Sequence, residues 1–226
     1  MEKIRVKELI KFRRKSERSR ITLVNNLKSN NSPENDSSSG GDYWISCLSA
    51  IANTFKYYNI ELLNEKIDLL TEKIKVTDDK RIKDQFQRNI DVLYNFGDFD
   101  FQDSKPDAKL TYLKKPTIKS ILDIKGLPIQ AKPDHVFTFS INKSEEIGAV
   151  WFIAQLNGFE RGELGMFTDI LYRYLDKHYS KDFYVNSSYC IAVDVNKAQR
   201  VSYKDIEDGK IPMLLDQTID DIKILL

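Results

Sequence analysis

Cysteine and histidine are scarce in this chain, with only Cys47, Cys190, His135 and His178 among 226 residues. The two cysteines are far apart in the sequence, each inside an apolar segment, which excludes a disulfide framework and reads as buried free thiols in a reducing cytoplasm. With two histidines at no recognised metal-ligand spacing, a zinc site of sulfur and imidazole is excluded as well. Long apolar runs are also missing. None approaches the roughly 18–20 residues that span a bilayer, so no membrane partner is expected. The opening MEKIRVKELIKFRRK carries charge throughout, where a secretory signal has an uninterrupted apolar stretch. Glu2, Glu8 and Glu17 speak against an organelle transit peptide. There is no internal repeat, and a cytoplasmic location is the expectation.

What is present suits a soluble globular protein, with 41% hydrophobic and 31% charged residues. The length fits one domain, or one domain with a helical extension, and a chain of this size buries about 70% of its unfolded surface without disulfides or structural metal. A net charge of +1 conceals an asymmetry. Residues 1–28 hold ten Lys and Arg against three Glu, a balance of +7, so the rest carries 1 − 7 = −6. A basic arm on a mildly acidic body suits a nucleic-acid contact or an acidic protein partner.

Residues 4–28 have helical spacing, with Val6, Leu9 and Ile10 at one end and Ile21, Val24 and Leu27 at the other. Between them lie Lys11, Arg13, Arg14, Lys15, Arg18 and Arg20, the candidate contact residues for nucleic acid or a partner. A continuous helix would place Arg13, Glu17 and Arg20 on the stripe its ends bury, so either it breaks near Ser16 or these charges meet a partner. Residues 29–41 (SNNSPENDSSSGG) read as a flexible linker. Asp42 is the expected N-cap of a helix reaching Tyr58, followed by helices near 60–75 and 79–95. From Asn95 to Pro116 periodicity fails; the Gly97–Asp103 loop lacks the glycine and glutamate of a calcium-binding EF-hand. The division expected is a basic helical arm over 1–28, the linker over 29–41, a helical region over 42–116, and an α/β sheet domain over 117–226 packed with that region.

The second half changes period. Ile118–Ile124 and Leu127–Ala131 form a candidate hairpin about Lys125-Gly126. Val136–Ile141 alternates as a half-buried strand does, and Ile147–Leu156 is nearly continuous apolar sequence, as in a strand covered on both faces. The short segment between them predicts an antiparallel pair, packed by a helix over Gly162–Tyr179. Strands at Tyr189–Val195 and Arg200–Tyr203 and a helix over Leu214–Leu226 complete the reading. The fold class expected is α/β of the α+β kind: a helical N-terminal half and a central mixed sheet flanked by helices.

Hairpin, a strand opened by Pro133-Asp134, a buried strand, a helix and a further strand occur in this order over residues 117–195. That order resembles the PD-(D/E)XK, or restriction-endonuclease-like, superfamily. The resemblance implies a Mg²⁺-dependent nuclease core in which Asp134 binds metal and the next strand offers an acid and a lysine two positions on. This chain departs from the pattern there. Ala149 and Trp151 occupy those positions, and a register on Glu145 or Glu146 brings Ile147 or Gly148 instead of lysine. Thr168 and Tyr172 match the spacing of a Gln-x-x-x-Tyr pair with the glutamine missing. Trp151 is therefore expected as buried core. Two other readings stay open: Pro133 and Asp134 as an ordinary strand start and turn, and an active enzyme drawing its lysine from elsewhere, such as Lys132.

Other motifs are explained more simply. Gly158–Gly165 lacks a phosphate-binding fingerprint and reads as a turn and helix start. Cys190 is distant in sequence from both histidines. Tyr172-Arg173-Tyr174 suits core packing, with base stacking as the alternative. Glu61, Glu65 and Glu72 are candidates for a third acidic ligand, with nothing to select among them. The function expected is a non-catalytic binding or assembly subunit of a bacterial cytoplasmic system, in defence or DNA processing, on a degenerate nuclease-like fold. Its partner would be another protein, or DNA, and it would need no cofactor. The alternative is a Mg²⁺-dependent nuclease with Asp134 as metal ligand.

Overall fold

A computed structural model describes residues 3–29, 43–97, 99, 101, 104–114 and 120–226. The linker over 29–41 except Ser29, the Asp42 cap, most of the Gly97–Asp103 loop and the start of the first hairpin strand lie outside these residues. The elements are β1 (Ile4–Arg5), α1 (Val6–Arg14), α2 (Glu17–Lys28), α3 (Ile45–Tyr57), α4 (Glu61–Val76), α5 (Lys80–Gly97), β2 (Thr111–Tyr112), β3 (Ile121–Ile124) and β4 (Leu127–Gln130). They continue with β5 (His135–Ile141), β6 (Ser144–Ile153), α6 (Arg161–Tyr179), β7 (Tyr184–Asp194), β8 (Gln199–Ser202), α7 (Tyr203–Glu207) and α8 (Leu215–Ile224).

The chain is mixed α/β, and it has two mixed sheets where one was expected. A five-stranded sheet runs β2-β5-β6-β7-β8, and a three-stranded sheet runs β1-β4-β3. The hairpin expected in the central sheet therefore pairs elsewhere: β4 is flanked by β3 and by the parallel strand β1. Two residues at the N-terminus were too short a signal for period-2 alternation to reveal. The expected pairing of β5 and β6 is present, antiparallel from His135↔Val150 to Ile141↔Ser144. Asn142 and Lys143 both have positive φ, the two-residue turn whose twist matches the flanking strands. β6 then pairs in parallel with β7, and α6 makes the crossover.

Both faces of β6 are covered, which accounts for its nearly unbroken apolar sequence. Ile147, Ala149 and Ile153 join α1 and α6 in one core, while Val150, Phe152 and Ala154 join α3, α4 and α5 in the other. Gly148 lies where β6 and β7 shift register; a Cβ there would meet the Tyr189 Cβ and carbonyl at 2.8 Å. The expected final strand ends one residue early: Tyr203 opens α7, where Asp205 accepts hydrogen bonds from the Ser202 N–H and hydroxyl. No helix of the described residues is long and apolar enough to cross a membrane.

The basic N-terminal stretch breaks where the charges would otherwise be buried. Lys15 and Ser16 are extended, separating α1 from α2. Ile4, Val6, Leu9, Ile10, Phe12 and Val24 all belong to the core shared with α6. Residues 3–29 are thus built into the α/β core.

Candidate functional site at the end of the central strand

In open α/β sheets, loops at the carboxyl ends of parallel strands are where ligands are received. The carboxyl end of β6 lies beside that of β7, with Ile153 opposite Asp194, and it leads through residues 154–160 into α6. Four elements converge there. Asp134, just before β5, is half-buried; its Oδ2 accepts the Phe152 N–H at 2.7 Å and its own N–H donates to the Val150 carbonyl. The carboxylate thus continues the β5–β6 ladder beyond the last strand pair. Its alternation partners on β6 are closed to metal. Ala149 is wholly buried, and Trp151 meets the Phe167 ring edge-on at 5.1 Å between centroids. Trp151 is half-buried, less than expected, at the end of β6, packed against the core that holds α6.

On the other side of β6, Asp194 is fully buried at the end of β7. Its Oδ2 accepts the Phe159 N–H at 2.7 Å and its Oδ1 accepts the Asn196 N–H at 3.0 Å. Burial pushes its carboxyl above the usual carboxylate range, and these backbone donors oppose the shift. Gly158, at φ +68°, is required here: a Cβ would stand 2.5 Å from the Asp194 Oδ2.

From α1, Lys7 donates to the Ala154 carbonyl at 2.9 Å, directly beyond the end of β6. Burial lowers the pKa of this amine, Lys11 adds to the fall, and Asp194 opposes it. Arg14 forms a two-pronged pair with the buried Glu163 of α6, its Nε donating to Oε1 at 2.6 Å and its Nη2 to Oε2. Glu163 also accepts the Glu160 N–H at 2.9 Å, which closes the first turn of α6.

The six candidate contact residues divide. Arg14 holds Glu163. Arg13 donates to the Thr218 hydroxyl of α8 at 3.1 Å. Arg20 donates to the Phe12 and Arg13 carbonyls, each at 3.0 Å, over the Phe12 ring. Lys11, Lys15 and Arg18 are exposed. Glu61, Glu65 and Glu72 occupy exposed positions on α4. Arg173, the stacking candidate, instead joins Asp169 and Asp216, while Tyr172 stacks on Tyr203 at 4.1 Å. Cys190 is wholly buried, and burial pushes its thiol up.

Among the described residues, no three His, Cys, Asp or Glu side chains are grouped so as to hold a metal ion. Sequence reasoning missed Lys7, Glu163 and Asp194. Asp194 had a signal, a carboxylate closing an apolar strand, and Glu163 stands three residues after Glu160, the capping spacing. Lys7 had none, since its acceptor is 147 residues away.

No family model, curated protein or solved structure matches the chain.

Proposed function

We propose that this protein is a non-catalytic binding or assembly subunit built on a degenerate nuclease-like core, acting on a protein partner or on DNA. The observation that carries the reading is the filling of the face beside Asp134. Ala149 and the Trp151–Phe167 contact stand where a metal-dependent nuclease of this pattern needs an acid and a lysine. The Asp134 carboxylate meanwhile holds the Phe152 N–H. Lys11 of α1, Lys15 at the break and Arg18 of α2, all exposed, with Arg14 partly open to solvent, offer a cationic contact surface. A low-GC bacterial source agrees with the Lys-, Ile- and Asn-rich composition.

One observation favours the alternative, a metal-dependent nuclease with Asp134 as ligand. Lys7 brings an amine of lowered pKa to the end of β6, where the pattern's lysine would be useful. Incubating plasmid and single-stranded DNA with the protein and Mg²⁺ or Mn²⁺ separates the two readings. The binding reading expects no cleavage by wild type. Cleavage that is lost in both Asp134→Ala and Lys7→Met establishes the nuclease.

A further inference from the structure

On the far side of the central sheet, α4 packs against α3 and α5 through Leu63, Ile67 and Leu70, which turns its other side outward. On that side Leu62, Leu69 and Val76 recur every seven residues and so form one line along the helix. Leu62 is half-buried, Leu69 is 46% exposed and Val76 is 83% exposed. Isolated apolar side chains at a surface are ordinary, but three on one helical line make the pattern by which helices pair. The charges beside the line are sorted by sign. Glu65 and Glu72, three residues beyond Leu62 and Leu69, fall on one flank, and Lys66 and Lys73, four residues beyond, fall on the other. Glu72 also meets Lys75 at 2.6 Å in an exposed pair within the helix, and Lys73 lies 5.8 Å from the centre of the Phe86 ring of α5. Next to the line a groove of about 350 Å³ opens between α4 and α3, bounded on the α3 side by the short side chains of Ser49, Ala50 and Asn53.

We propose that this face pairs with the same face of a second copy of the chain, in a two-fold dimer with α4 parallel to its counterpart. The contact goes beyond the binding role proposed above and is independent of it, since α1 and α2 belong to the core on the opposite face of the sheet. The sorting of charge selects the occupant. A two-fold axis running along the helix sets the acidic flank of one copy against the basic flank of the other, on both sides of the apolar line. An axis across the helix would instead set Glu65 and Glu72 against their own copies, and Lys66 and Lys73 likewise, which repels. A helix that carries both signs in separate rows thus complements itself. Short side chains at Ser49, Ala50 and Asn53 leave room for the second helix to come close beside Leu69. A contact made by one short helix and the groove beside it is at the small end of specific interfaces, so the dimer should dissociate at about micromolar concentration.

Sedimentation velocity of the full chain from about 1 µM to about 500 µM tests this, and wild type should pass from monomer to dimer within that range. Leu69→Glu, at an exposed position, should weaken association by about tenfold or more and leave the thermal melt of the dilute protein unchanged. The double variant Glu65→Lys with Glu72→Lys carries only bases beside the line, and Lys66→Glu with Lys73→Glu carries only acids. Each alone should stay monomeric, and an equimolar mixture of the two should form a heterodimer, which a mere loss of folding could not produce. Wild type that stays monomeric over the whole range overturns the proposal and leaves the face to a helix of another protein. A dimer that neither Leu69→Glu nor the charge variants weaken overturns it as well, because its contact then lies elsewhere.

Discussion

At the residue scale, single side chains hold the loops that form the site, and their roles are local and measurable. Asp134 was legible as an aspartate opening a strand, but its bond to Phe152 depends on where the β5–β6 register ends. Asp134→Ala leaves that N–H without its acceptor and should cost about 1–2 kcal/mol in urea unfolding, with Asp134→Asn costing less because it keeps one. Gly158→Ala combines a left-handed backbone with a clash against Asp194 and should cost about 1–3 kcal/mol by the same measurement. Lys105 is 4% exposed, donates to the Phe55 carbonyl in the last turn of α3, and makes a pH prediction. Its folded pKa of about 8 lies below the unfolded 10.5, so the folded chain binds fewer protons between these values and the residue adds stability as pH rises. The thiols of Cys47 and Cys190, raised by burial, act in the opposite direction over the same range. Comparing wild type with Lys105→Met isolates the lysine. The stability of the variant relative to wild type should be greatest below pH 8 and fall by about 2–3 kcal/mol by pH 10. Nothing in the sequence marked Lys105, because burial of a lone lysine is decided by the tertiary fold.

At the scale of elements, charges offered by the sequence as contact residues turn out to join helices. Arg20 caps the end of α1 from α2, bonding the Arg13 carbonyl and the Phe12 carbonyl that also takes the Lys15 N–H. Arg20→Ala should therefore lower stability by about 1 kcal/mol while leaving the break in place. Arg173 joins α6 to α8, with its Nε 2.7 Å from the Asp169 Oδ1 and its Nη2 2.9 Å from the Asp216 Oδ2. Burial pushes the Asp169 carboxyl up, while Arg173 holds Asp216 below the usual carboxylate range. Arg173→Met leaves Asp169, which is 1% exposed, without its cation, and should cost about 3–5 kcal/mol in a thermal or urea melt. Long periodic elements were legible: α3, α4, α5 and α6, and the β5–β6 pair, follow from spacing and turn chemistry. The short ones were not. β1, β2 and α7 are two to five residues long, and β1 and β2 exist because a partner distant in sequence satisfies them.

At the scale of the whole molecule, residues 3–29 pack as part of the core, which changes what the basic stretch offers a partner. Three of its six candidate cations are held by Glu163, Thr218 and the end of α1, and Lys11, Lys15 and Arg18 lie at exposed positions. Neutralising about three phosphates should give a log–log salt slope near −3 on duplex DNA. Replacing Lys15 and Arg18 by Ala should reduce that slope by about 2 with melting unchanged. The proposed binding role requires that the end of β6 hold no catalytic metal, which a calorimetric titration with Mn²⁺ checks. It predicts no stoichiometric binding to wild type, and a trace indistinguishable from that of Asp134→Asn. Saturable, one-to-one Mn²⁺ binding to wild type that Asp134→Asn abolishes, in a variant that still folds, would contradict it.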